Sequence, residues 1–105
     1  MELRHLKYFI AVAEEQNIGR AAARLHISQP PLTRQIQQLE EELDVQLFVR
    51  TPKGMEITQA GTLLLEEARN IRSLVEQATE RTQRAGKGKL GRLDVAIFGS
   101  AILDA

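Results

Sequence analysis

Apolar residues open the chain at Leu3, Leu6, Phe9, Ile10 and Ala13, stepping by three and four. That spacing puts them on one face and predicts an amphipathic helix from Leu3 to about Glu15. Asn17 has the side chain of an N-cap and opens a short alanine-rich helix, Ile18–Leu25. His26-Ile27 forms the break. Ser28 is placed to cap a third helix whose first turn holds Pro30 and Pro31, where a missing N–H costs nothing. Leu32, Ile36, Leu39 and Leu43 give that helix its apolar stripe, and it should end near Asp44.

Val45–Arg50 is a β-branched and aromatic run, followed by Thr51-Pro52-Lys53-Gly54, with proline second and glycine fourth as in a type I turn. Met55–Thr58 supplies a short return strand, which predicts a hairpin. Thr58 is also placed to cap a long fourth helix reaching about Ala85, roughly 28 residues and about 42 Å at 1.5 Å per residue. Its positions Leu64, Ala68, Ile71, Val75, Ala78, Thr82 and Ala85 alternate steps of four and three, a heptad seam. Gly86-Lys87-Gly88-Lys89 then breaks the helix, and Leu90–Phe98 reads as an apolar strand. A lone strand cannot fold by itself. The expected organisation is a head of residues 1–58, a linker helix over 59–88, and the start of a truncated further domain in 89–105.

Composition narrows the function classes. The 105 residues carry 14 Lys and Arg against 14 Asp and Glu, for a net charge of zero, which excludes a histone-like protein held to nucleic acid by bulk charge. Without cysteine there is no disulfide, thiolate metal site or thiol nucleophile. No apolar run approaches the roughly 20 residues that span a bilayer, so a soluble cytoplasmic protein is expected, with no membrane partner. His5 and His26 fall on different elements and lack zinc-site spacing. Glu40-Glu41-Glu42 reads as a solvated face. No phosphate-cradling loop or nucleophile set is present, so the chain is read as a non-enzyme without metal or cofactor. The few aromatics argue against single-strand stacking, and Phe9 and Phe48 are read as core.

The distribution of charge says more than its sum. From Gln16 to Leu39 there is no acid, but there are Arg20, Arg24 and Arg34; the hairpin tip adds Arg50 and Lys53. The acids gather at Glu40, Glu41, Glu42 and Asp44. Such an arrangement suits a polyanion approached in one orientation. Within Ile18–Gln37, the alanines at 21 to 23 allow close helix approach and Ile27 plugs the corner. Leu32 and Ile36 face inward. The opposite side of the third helix then presents Gln29, Thr33, Arg34 and Gln37, with Pro30 and Pro31 at its tip. Arginine forks onto guanine, glutamine onto adenine, and threonine or proline carbons meet a thymine methyl. In a helix-turn-helix, the start of the second helix enters the major groove. The corner holds His26 where many such motifs use glycine.

The run AAARLHISQPPLTRQIQQLEEEL, followed by LF.R at Leu47–Arg50 and ITQAG at Ile57–Gly61, strongly resembles the LysR-type transcriptional regulators. The opening MELRHLKYFIAVAEE resembles members that control aromatic-compound degradation. The likeness covers the whole chain and implies a mainly α fold: a winged helix-turn-helix followed by a dimerising linker helix. It also implies a C-terminal effector-binding domain, of which only the first strand would be present. By position it assigns base reading to Gln29, Pro30, Pro31, Thr33 and Arg34, to which Gln37 is added from its face. The wing matches Arg50, Thr51, Pro52, Lys53 and Gly54. Phosphate contacts fall to Asn17, Ile18 and Arg20, with Ser28 at the turn. Leu64, Ala68, Ile71, Val75 and Ala78 are the expected dimer seam. Where the family often has glycine, this chain has Asp44.

The implied function is sequence-specific binding of promoter DNA by a homodimer, a tetramer being possible at full length, under a small-molecule inducer bound by the missing domain. Arg81, Arg84, Lys87, Lys89 and Arg92 read as a solvated linker end. The competing reading is a coiled-coil protein-interaction module without specific DNA binding.

Overall fold

The computed structural model describes residues 1–86. Gly86, where the sequence places the start of the glycine-lysine break, is still the last residue of the fourth helix; the rest of that break, the strand Leu90–Phe98 and the basic residues Lys87, Lys89 and Arg92 lie outside the described residues. The elements run α1 (Leu3–Glu15), α2 (Ile18–Leu25), α3 (Gln29–Leu43), β1 (Phe48–Thr51), β2 (Gly54–Ile57) and α4 (Gln59–Gly86). The helix bounds follow the sequence pattern closely. The strand bounds do not, for a reason that lies in the hairpin's base.

α1 is the hub. Leu6, Phe9, Ile10 and Val12 are all but fully buried, meeting Ala21 and Ala22 of α2, Leu32, Ile36 and Leu39 of α3, and Leu47 and Phe48 of the hairpin in one core cluster. The rings of Phe9 and Phe48 lie 5.3 Å apart at 42°, a tilted aromatic contact joining helix and hairpin. The apolar stripe of α3 stops at Leu39. Leu43, expected to continue it, is exposed, because the chain turns away at Asp44.

All three short helices end on a left-handed residue that is not glycine: Gln16 (φ 54°), His26 (φ 59°) and Asp44 (φ 56°). At the α2–α3 corner the His26 N–H donates to the Ala23 carbonyl at 3.1 Å and the Ile27 N–H to the Ala22 carbonyl at 3.0 Å. This is a Schellman closure, and the apolar residue after the left-handed one packs back on the core, as Ile27 does. Asp44 and Val45 close α3 in the same way onto Glu41 and Glu40. The tight corners thus form without glycine at either position.

The strands pair antiparallel, Phe48 opposite Ile57 and Thr51 opposite Gly54, leaving Pro52-Lys53 as a two-residue loop. Pro52 fixes its own φ near −65°, which rules out the mirror-image turn usual for such loops. Gly54 absorbs the twist at φ 133°. β1 begins at Phe48 rather than Val45 because the backbone before it has other partners. Glu40 accepts the N–H groups of Leu47 (2.8 Å) and Phe48 (3.2 Å), and the Thr58 hydroxyl donates to the Gln46 carbonyl at 2.7 Å. Thr58 leaves β2 for the same reason. Its hydroxyl accepts the Gly61 N–H at 3.0 Å and its carbonyl the Thr62 N–H at 2.8 Å, so it caps α4.

α4 leaves the head as a rod of 28 residues, about 42 Å long. Its first half is welded on. Gly61 lets the backbones close: a Cβ there would lie 2.4 Å from the Leu47 carbonyl oxygen and 2.6 Å from the Ile57 side chain. Ala68 is fully buried in the head's core, with Leu64, Leu65 and Ile71 packed partly against it.

Candidate nucleic-acid interface

The start of α2, the start of α3 and the hairpin loop converge on one edge of the head. Asn17 caps α2, its Oδ1 accepting the Arg20 N–H at 2.8 Å. Ile18 is buried, so what it can offer an anion is its backbone N–H rather than its side chain. Neither α2 nor α3 has an acid in its first turn.

Ser28 stands at the N-cap of α3 but makes no side-chain cap bond. An N-cap oxygen takes the N–H of the second or third helical residue. In α3 those are Pro30 and Pro31, which have none. The expected Ser28 cap is therefore absent, and the exposed residue keeps its hydroxyl free of that duty.

On α3, Gln29, Pro30, Arg34 and Gln37 are exposed and Pro31 and Thr33 half-exposed, while Leu32, Ile36 and Leu39 are inside. The polar residues expected on the open side do lie there. A groove of about 370 Å³ joins Asn17, Ile18, Gly19 and Gln29 to the whole wing, Arg50 through Gly54, and to Met55. A second concavity, about 230 Å³, runs between α3 and the hairpin and brings Thr33 and Gln37 to Arg50 and Met55.

The wing is held by the α1–α2 corner. The Met55 N–H donates to the carbonyl of Gln16 at 3.2 Å, and a Cβ on Gly54 would come within 2.6 Å of that oxygen. Within the loop the Thr51 hydroxyl donates to the Gly54 carbonyl and accepts the Lys53 N–H, both at 3.2 Å.

The basic residues divide in space as they do not in sequence. Arg34, Arg50 and Lys53 form no ion pair among the described residues. Arg24 is neutralised by α1: it meets Glu14 at 2.7 Å and Glu15 at 3.2 Å, while Arg69 of α4 meets Glu14 at 2.9 Å. Burial pushes the Glu14 carboxyl up, but the hydrogen bonds and charges of Arg69 and Arg24 outweigh it and hold Glu14 below its ordinary value. The hydrogen bond to Glu14, with the neighbouring Glu15, raises Arg24 further, against its own burial. Arg20 lies between the two groups, 66% exposed, donating to the Glu15 carbonyl at 3.0 Å.

Residues 3–62 match the model of a family described as bacterial regulatory helix-turn-helix protein, lysR family. The chain belongs to that family. It is 57% identical over 103 residues to the HTH-type transcriptional regulator ClcR of Pseudomonas putida, covering 98% of this chain and 35% of ClcR. The structure titled a CbnR_DBD–DNA complex superposes with a TM-score of 0.78 at 52% identity, over 83% of this chain and all of that one. A BenM_DBD complex with catB site 1 DNA gives 0.81 at 48% identity, over 84% of this chain and 99% of that one. The fold expected from the sequence, helices with a hairpin wing and a long following helix, is the fold these structures share. The chain spans roughly a third to a half of the length of the curated relatives it matches, 35% of ClcR and 46% of TfdT of Cupriavidus pinatubonensis (strain JMP 134 / LMG 1197).

The seam expected for dimerisation divides on the family's long helix. Ala68 is inside the head and unavailable to a partner, and Leu64 and Ile71 are half-covered by the same packing. The reason is the weld at Gly61, which turns that face inward. Val75 is half-exposed and Ala78 exposed, and the large apolar residues most open to solvent on α4 are Leu63 (60%) and Leu74 (63%), which the seam omits. Glu40, read as a solvated acid, instead anchors the hairpin, and His5 uses its Nδ1 to accept the Glu2 N–H at 3.1 Å. Gln16 and Gly54, which fix the wing, carried only one sequence signal: glycine after a proline turn. Among the described residues no cluster of three potential metal ligands occurs, and no helix is long and apolar enough to cross a membrane.

Proposed function

We propose that this chain is the operator-reading part of a LysR-family transcriptional regulator, binding double-stranded promoter DNA. The first half of α3 enters the major groove, where Gln29, Thr33, Arg34 and Gln37 read base edges against Pro30 and Pro31. The wing, Arg50 to Gly54, lies at the minor groove. The N–H groups at Asn17 and Ile18, with Arg20 and the free Ser28 hydroxyl, hold phosphate. One observation carries this reading: the groove that joins Gln29 at the start of α3 to the wing holds Arg50 and Lys53, and these, like the exposed Arg34 of α3, have no carboxylate partner among the described residues. The DNA complexes of CbnR_DBD and BenM_DBD, on the same fold, support it.

The division proposed is 1–58 for reading, 59–88 for dimerisation and 89–105 for the start of an effector domain. Two copies pair through α4, using Val75 and Ala78 with the uncovered parts of Leu64 and Ile71 and the exposed Leu63 and Leu74, so that two heads meet two half-sites. At full length the protein acts in the cytoplasm, without enzymatic activity, and responds to a small-molecule inducer.

Titration of the chain against promoter and random duplexes at two salt concentrations tests the proposal. Binding that favours one sequence, and weakens as salt rises, is expected. DNA affinity no higher than background sinks it and leaves a coiled-coil interaction module.

A further inference from the structure

We infer that Gly19 is a specificity-determining residue of the interface, acting through Gln29; the inference rests on the DNA-reading role proposed above. Gly19 is the second residue of α2 and Gln29 the first of α3. A Cβ built on Gly19 would lie 3.1 Å from Nε2 of Gln29, 3.9 Å from its Cδ and 3.2 Å from Oδ1 of Asn17. The Gln29 carboxamide therefore rests against bare backbone, so close that a Cβ at position 19 would push its end away by a few tenths of an ångström.

Nothing in the backbone asks for glycine here. Gly54 is the described glycine with a positive φ; Gly19 has ordinary helical geometry, where glycine weakens a helix relative to alanine. What glycine supplies is room. The amide that occupies it faces the groove shared with the wing and belongs to a side-chain type that reads adenine through two hydrogen bonds. Its approach to a base edge is set by where it rests on α2. A methyl group at position 19 crowds two side-chain ends rather than rigid backbone, the Gln29 amide and the Asn17 Oδ1. Asn17 is held by the Arg20 N–H at 2.8 Å, so the amide is the end that yields, and it meets the base at another angle while the cap is kept.

The test compares the chain with Gly19→Ala, Gln29→Ala and the double variant, each selecting duplexes from a pool randomised across the half-site. Melting is measured in parallel, and Gly19→Ala is expected to melt no lower than the parent. Gly19→Ala should change preference at the base pair where Gln29→Ala flattens it, by roughly fivefold, the lower end of what one bidentate base contact is worth. Other positions and affinity for random duplex should hold within about twofold. In the Gln29→Ala background the Gly19 change should add nothing. Unaltered preference at every position in Gly19→Ala, or a change that persists without Gln29, overturns the inference while leaving the DNA-reading role intact. A parent chain that enriches no sequence overturns both.

Discussion

The head has a closed flank and an open edge, built from the same residue types. On the flank, Arg24 and Arg69 converge on Glu14 at 2.7 and 2.9 Å, and Glu40 accepts two backbone N–H groups at the hairpin's base. On the edge, Arg34, Arg50 and Lys53 have no carboxylate within ion-pair distance among the described residues. A net charge of zero conceals this division. Where the chain neutralises an arginine itself, the side chain holds elements together; where it does not, the charge is available to an external anion at little desolvation cost. Substitutions on the two sides should therefore move different observables, stability on the flank and DNA binding on the edge.

Glu40→Ala should have the largest effect, and on stability. It removes a charged acceptor from two part-buried N–H groups, an expected loss on the order of 3 kcal/mol. For a unit of this size that lowers Tm by about 10–20 °C. Sequence preference, measured well below the new Tm, should be unchanged. A Tm near wild type would mean water replaces the carboxylate and the flank is not closed.

Arg34→Ala is the counterpart on the edge. Cognate affinity should fall by roughly 1–3 kcal/mol and discrimination at one base pair should blur, while Tm stays put. Equal loss on cognate and random duplex would assign Arg34 to phosphate instead. Arg24→Ala supplies the control: Tm falls and discrimination does not.

The contrast also separates what the sequence made legible from what it hid. Helix limits, the Asn17 cap, the Thr58 cap and the inward Leu32 and Ile36 follow from local periodicity and capping chemistry, and the polar face of α3 follows from them. Ser28 failed as a side-chain cap although the needed fact was local, since Pro30 and Pro31 occupy the two positions whose N–H a cap would take. The pairing of Arg24 with Glu14 was not legible. The residues are ten apart, and only the crossing of α1 and α2 brings them together. The same holds for Ala68: a heptad step says which residues share a face, not whether the head or a second copy covers it. Glu40 looked solvated because its partners, seven and eight residues on, are backbone groups that no side-chain pattern announces.

Acid should weaken the flank in a defined direction. Glu14 is held below its ordinary 4.5 in the folded state, so its contribution is complete above that value and fades as pH falls through the folded one. Allowing for the exposure of Arg69 and Arg24, Glu14→Gln should cost about 1 kcal/mol near neutral pH. Urea melts across the acid range should show the gap between variant and parent closing below pH 4.5. A gap that widens on acidification would reverse the sign and remove Glu14 from the flank's ion pairs.

Lys53→Ala should be the smallest change and the one that most sharpens the boundary. The residue sits at the tip of the hairpin loop, exposed and without an ion pair among the described residues, and its only constraint there is the backbone N–H donated to Thr51. Its ammonium is a mobile point charge, suited to phosphate rather than to a base edge. Removing it should weaken binding to every duplex alike, leave Tm and base preference untouched, and make the plot of log affinity against log salt shallower by about 0.9, the slope carried by one neutralised phosphate. Affinity lost without that change in slope would mean the wing touches DNA through its backbone, and that the open edge ends at Arg50. A lost base preference would extend the reading surface from α3 into the wing.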